Sequence, residues 1–213
     1  MKHTAARLTA MLIVLAARFI TAVRGIWQGV EPVPEQRIYF ANHSSNGDFV
    51  LIWTALPARI RARTRPVAGS DYWLRSPVKT FVIRDVFDAV LIDRNPETRR
   101  EDPVAAMTEA LDGGASLILF PEGTRNTTDA RLLPFKPGLF HLARARPEVP
   151  LVPVWIENLN RVMPKGEIVP IPLICTVTFG AAIRVAPDED KAAFLSRAAA
   201  ALLATGSLEE RAA

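Results

Sequence analysis

The runs Ala89-Val90-Leu91-Ile92, Leu117-Ile118-Leu119-Phe120 and Leu151-Val152-Pro153-Val154-Trp155-Ile156 are apolar at every position. A strand with one wet face alternates apolar and polar residues. An unbroken apolar run of this length, bounded by turn residues, reads as a strand buried on both faces. Arg37 to Ala41, Pro66 to Gly69 and Ile174 to Phe179 read as further strands. Helical stretches separate them. Residues 48–56 end at Pro57, and residues 71–87 have a second helix starting at Pro77. Asp102-Pro103 reads as an N-cap and first helical residue, with Gly113-Gly114 as the stop. Residues 138–144 and 188–205 complete the set. This order predicts an α/β fold: a single domain with a mixed, mostly parallel sheet covered by helices. Functional groups in such folds gather on the loops beyond strand ends.

The 213 residues allow one well-buried core, read here as a domain over 31–213 behind an N-terminal segment, 1–30. The net charge of +4 lies wholly in that segment, which carries Lys2, Arg7, Arg18 and Arg24 and no acid. In the remainder, 22 basic residues balance 22 acidic ones. A nucleic-acid binder would carry its excess on the globular body, so no nucleic-acid partner is expected. The one cysteine, Cys175, excludes an internal disulfide and reads as a small core residue. Residues 4–28 read as one helix. At about 100° per residue, Arg7, Arg18 and Gly25 fall nearly on one line of an otherwise apolar surface. That describes an amphipathic, membrane-associating helix with its arginines toward anionic head groups. An ordinary surface helix and a secretory signal are the other readings. The uncharged run Leu8 to Ala17 is short for a simple membrane span.

Two polar islands follow predicted strands. In Asn42-His43-Ser44-Ser45-Asn46-Gly47-Asp48, the small residues, with Gly47 free to take positive φ, let the chain turn so that His43 and Asp48 meet. A histidine suits general-base work near neutral pH, and an acid on its far nitrogen fixes the tautomer. The same residues would also arise from a loop histidine beside an aspartate that caps the next helix. The second island is Phe120-Pro121-Glu122-Gly123-Thr124-Arg125-Asn126. It offers backbone N–H groups, a hydroxyl and a guanidinium, a set that suits phosphate. Glu122 would repel a phosphate directly, so it is expected to orient Arg125 or to bond substrate hydroxyls. A surface β-turn with a salt bridge is the alternative.

Taken together and in order, the islands resemble the glycerolipid acyltransferase family, whose best-known members are the 1-acylglycerol-3-phosphate acyltransferases. Its four motif blocks are matched by His43 to Asp48, by Val90 to Arg94, by Phe120 to Arg125 and by Val152 to Ile156. Asn126 stands where serine is usual. The resemblance implies that His43, held by Asp48, takes the proton of an acceptor hydroxyl. The alkoxide then attacks the thioester of acyl-CoA or acyl carrier protein. Arg94, Glu122, Gly123, Thr124 and Arg125 would bind the acceptor's glycerol phosphate, with Lys136 adding positive charge. It implies no metal and no cofactor, with the acyl thioester as co-substrate. The acceptor would be 1-acylglycerol 3-phosphate or another lysolipid, such as a lyso-ornithine lipid or a lysophospholipid. The partner surface would be an anionic membrane, with the protein peripheral or monotopic on its cytoplasmic face. A thioesterase, and a non-catalytic membrane-binding module, are the competing classes.

Overall fold

The computed structural model describes residues 2–95, 97, 99–157 and 175–210, with side chains described up to residue 206. Helix α1 spans Lys2–Thr21 and strand β1 Arg24–Trp27. Then come β2 (Ile38–Ala41), α2 (Asp48–Ala55), α3 (Ala58–Arg61), β3 (Thr64–Gly69), α4 (Ser70–Trp73) and α5 (Pro77–Phe81). A π-helical turn over Val82–Val86 leads to β4 (Val90–Ile92), α6 (Pro103–Asp112), β5 (Ser116–Leu119) and α7 (Gly138–Ala145). Strands β6 (Leu151–Glu157) and β7 (Thr176–Phe179) and helix α8 (Lys191–Glu210) follow.

The seven strands form one sheet in the order β1-β7-β6-β2-β5-β3-β4. Every neighbouring pair is parallel except β6 and β7. The apolar strands do what unbroken apolar runs require. On one face Tyr39, Ala41, Ile118, Val152 and Val154 pack against α2. On the other, Ile38, Phe40, Leu117 and Leu119 pack against α6, α7 and α8. Successive residues of β2 thus feed opposite layers, as strand geometry demands. The expected caps hold. Asp102 Oδ1 accepts from Val104 N at 3.0 Å, and Gly114 takes φ +80° beyond the end of α6. Helix α8 starts later than expected, at Lys191, because Asp190 Oδ1 accepts from Ala192 N and Ala193 N. Ile174, the expected start of the last strand, lies outside the described residues.

The single helix expected over 4–28 is corrected. The helix ends at Thr21, Ala22 takes φ +43°, and Arg24–Trp27 becomes an edge strand in register with Thr176–Phe179. Trp27 stacks on Phe179 at 4.0 Å. Gly25 therefore belongs to the sheet and not to a helical stripe with Arg7 and Arg18. The cause is tertiary: β7 offers an open edge, and Gly-Ile-Trp fits a half-buried strand at least as well as a helix. Helix α1 buries a face containing Ala6, Val14 and Thr21. It leaves Leu8, Met11, Leu12, Leu15 and Phe19 exposed. It is long and apolar enough, by length and composition, to cross a membrane.

Candidate active site

Strands β2 and β5 are neighbours, yet the helices that follow them go to opposite layers, α2 to one and α7 to the other. The chain therefore parts at the carboxyl ends of these strands. A crevice of this kind is where α/β sheets bind ligands. Both polar islands open there.

The first island is held from four sides. Asn42 extends the β2–β6 ladder with its side chain: Nδ2 donates to Ile156 O at 3.0 Å and Oδ1 accepts from Ile156 N at 2.8 Å. His43 N donates to Glu122 Oε1 at 2.8 Å, and His43 O accepts from Asn126 N at 2.6 Å. The second island thus grips His43 through both of its backbone polar groups. The imidazole stacks on Phe120, with ring centroids 4.2 Å apart. Its Nδ1 lies 2.8 Å from Asp48 Oδ2. That carboxylate oxygen also accepts from Ser44 N at 2.6 Å and Ser45 N at 2.8 Å. With Asp48 on Nδ1, the neutral ring carries its hydrogen there and leaves Nε2 as the basic nitrogen. The ring is 19% exposed and the Asp48 side chain is buried.

Two local expectations change. Asp48 is not the N-cap of α2; Gly47 holds that place and Asp48 is the first helical residue. Gly47 does not use positive φ, since its φ is −86°. The turn is closed instead by the three bonds into Asp48 Oδ2, so the carboxylate folds the loop that it serves.

In the second island Gly123 supplies the positive φ, +71°. A Cβ there would lie 3.1 Å from Lys136 Cγ. The stem of Lys136 thus runs along the turn, and its backbone N–H donates to Pro121 O at 2.7 Å. Thr124 and Arg125 are exposed. Among the described residues Arg125 has no ion-pair partner, so its guanidinium is available to an anion. The structure brings His43, Gly123, Thr124, Arg125 and Lys136 together beyond the ends of β2 and β5, with Asp48 buried behind His43.

Glu122 and Arg94 are arranged differently from expectation. Glu122 is 1% exposed, and its second oxygen accepts from Leu133 N at 2.8 Å. Each oxygen accepts from a backbone N–H group and, among the described residues, neither bonds Arg125, so the carboxylate holds the backbone of His43 and not Arg125. Burial pushes the Glu122 carboxyl above its ordinary range, although both backbone bonds and His43 pull the other way. The stability that goes with a raised folded-state value is fully present below the unfolded-chain value. It is lost as pH rises through the folded one. Wild-type Tm should therefore fall relative to Glu122→Gln across that window, and the difference should level off above it. A difference that grows in favour of the wild type with pH contradicts this.

Arg94 leaves the end of β4, which has β3 and β5 between it and β2. At ordinary strand spacing that is about 14 Å away across the sheet. Its Nε and Nη2 donate to Asp71 at 3.1 and 2.7 Å, and that pairing holds the Asp71 carboxyl below its ordinary range. Sequence reasoning gave no role to Asn42, Phe120 or Asp71. The side-chain bonds of Asn42 join positions 114 residues apart, beyond the reach of any local pattern. Cys175 is fully buried, as expected of a core residue, and burial pushes its thiol up to about 11.

A model of the acyltransferase family matches residues 26–157, from β1 to the end of β6. The chain belongs to the acyltransferase family. Both islands and the sheet edge that presents them lie inside the matched region. The chain is 32% identical over 155 residues to the 1-acyl-sn-glycerol-3-phosphate acyltransferase of Limnanthes douglasii, covering 68% of this chain and 50% of that protein. To the protein of the same name from Escherichia coli it is 34% identical over 137 residues, covering 58% of this chain and 50% of the other. The chain spans about half the length of these curated relatives. In fold it is similar to the 1-acyl-sn-glycerophosphate (LPA) acyltransferase PlsC of Thermotoga maritima, with a TM-score of 0.71 at 21% identity. That likeness covers 98% of this chain and 83% of the other.

Proposed function

We propose that the protein is a membrane-surface acyltransferase. It moves a fatty acyl group from acyl-CoA or acyl carrier protein to the free hydroxyl of 1-acylglycerol 3-phosphate, giving phosphatidate. The observation that carries this reading is the wiring of His43: its ring is set by Asp48, and its backbone is bound to the turn that presents Arg125. A base and an anion clamp fixed to each other suit an acceptor with a hydroxyl near a phosphate. The family membership and the names of the relatives point the same way.

The geometry supports the following steps. The acceptor's phosphate sits at Arg125, the Gly123–Thr124 turn and Lys136, with its hydroxyl at His43 Nε2. Nε2 takes the proton as the oxygen attacks the thioester carbonyl, and Asp48 stabilises the imidazolium that forms. The tetrahedral intermediate collapses, the C–S bond breaks, and the imidazolium proton passes to the departing thiolate. No acyl-enzyme, metal or cofactor enters this scheme. Arg94, held by Asp71, would need to change partner to reach the acceptor phosphate. Helix α1, with its exposed apolar face and acid-free sequence, lays the protein on the anionic cytoplasmic face of the membrane, where the acceptor resides.

Arg125→Ala should mainly raise the KM for a phosphate-bearing acceptor, because a charge-assisted clamp is lost while the base stays in place. If only the acyl-donor KM moves, the clamp belongs to the donor. The acceptor itself is tested with one labelled acyl donor and a panel of lysolipids, read by product mass. Labelled phosphatidate is the expected product. Exclusive labelling of a lyso-ornithine lipid or a phosphate-free acceptor would overturn the proposed substrate.

A further inference from the structure

Nine large apolar side chains are exposed among the described residues. Six are on α1, Val33 stands apart, and the other two, Leu74 and Val78, flank the corner between α4 and α5. Single exposed apolar residues scattered over a surface are ordinary; clustering on two adjoining elements is not. The elements do adjoin: Lys2 of α1 lines a groove together with Leu74, Pro77 and Phe81. The chemistry of the corner suits a lipid interface. Val78 is 73% exposed, just beyond Pro77 in the first turn of α5, which Ser76 caps by accepting from Lys79 N. Cations stand beside the apolar tips. Arg75 is exposed and donates through Nε to Asp71 O at 2.7 Å. Lys79 Nζ rests 3.8 Å from the centre of the Tyr72 ring. Asp85 is the acid that lines this groove.

The position of the corner gives it a purpose. It follows β3, which runs parallel to β5 and hence to β2, so it projects from the sheet edge that carries His43. The end of α1 reaches the same edge, where Thr21 O accepts from Cys175 N at the head of the antiparallel strand β7.

We infer that the α4–α5 corner is the second half of the membrane-docking surface, with Leu74 and Val78 entering the interface and Arg75 and Lys79 meeting lipid phosphates. The occupant is the bilayer surface itself. With α1 running from the corner to the head of β7, the catalytic edge between them faces the lipid from which the acceptor comes. This rests on the reading of α1 as lipid-facing, and the test separates the two.

Met11→Cys, Val78→Cys and Glu109→Cys variants of the full chain are each labelled with an environment-sensitive fluorophore. Native Cys175 is fully buried and resists labelling. Vesicles of phosphatidylcholine and phosphatidylglycerol are then added. Labels at positions 11 and 78 should brighten and shift to the blue, while the label at 109, on α6 across the sheet, should not. A response at 11 without one at 78 overturns the inference and leaves the α1 reading standing. No response at either overturns both. Unlabelled Val78→Asp should also partition onto these vesicles about tenfold less than the wild type, given the apolar area withdrawn from lipid. An unchanged partition overturns the inference.

Discussion

His43→Ala should fold and bind its substrates yet lose acyl transfer by at least about 10²–10⁴-fold, the usual worth of general-base assistance. The side chain sits at the crevice mouth, with Phe120 on one ring face and Asp48 at Nδ1. Its removal leaves the backbone bonds to Glu122 and Asn126 available, so the turn that presents Arg125 keeps its anchor. The loss should appear in kcat, with acceptor KM nearly unchanged and Tm within a few degrees of the wild type. A variant that turns over normally would remove His43 from the mechanism. A large fall in Tm would mean that the ring matters for packing as well.

Asp48→Asn should cost kcat on a similar scale, for a different reason. Oδ2 accepts three hydrogen bonds, from His43 Nδ1, Ser44 N and Ser45 N. An amide nitrogen in that place would face three donors. Turning the amide over returns an oxygen to the three donors but places its NH2 where Oδ1 is buried without a described partner. A neutral amide also stabilises a nascent imidazolium far less than a carboxylate does. The expected outcome is a fall in kcat on the order of 10²–10⁴-fold together with a Tm lowered by several degrees. Asp48→Asn therefore differs from His43→Ala in its stability signature. Equal Tm values in the two variants would contradict the dual role assigned to this carboxylate.

Much of the sheet was legible because its strands need no partner to be recognised. Leu117–Leu119 and Leu151–Ile156 are apolar at every step, short and bounded by turn residues, which favours a strand covered on both faces. The ends of α6 were equally plain, since Asp102-Pro103 and Gly113-Gly114 act through local backbone chemistry. Strand β1 was hidden for the opposite reason. Four residues beyond a helical pattern become a strand only because β7 offers an edge, and each β7 partner lies 152 residues further on. At the site, the meeting of His43 and Asp48 could be read from the turn residues between them. The role of Glu122 could not: an acid between Pro121 and Gly123 looks like the tip of an exposed turn. Its burial depends on two N–H groups that the chain brings from residues 43 and 133. Arg94 shows the same limit, since nothing near it in sequence names Asp71 as its partner.

In the proposed reaction His43 activates an acceptor hydroxyl and not water. Thiol release from the acyl donor, followed with and without the lysolipid acceptor, tests it most directly. Release should depend on acceptor, match acylated product one for one, and disappear in His43→Ala. Release at the same rate without acceptor, yielding free fatty acid, would make the protein a thioesterase and contradict it.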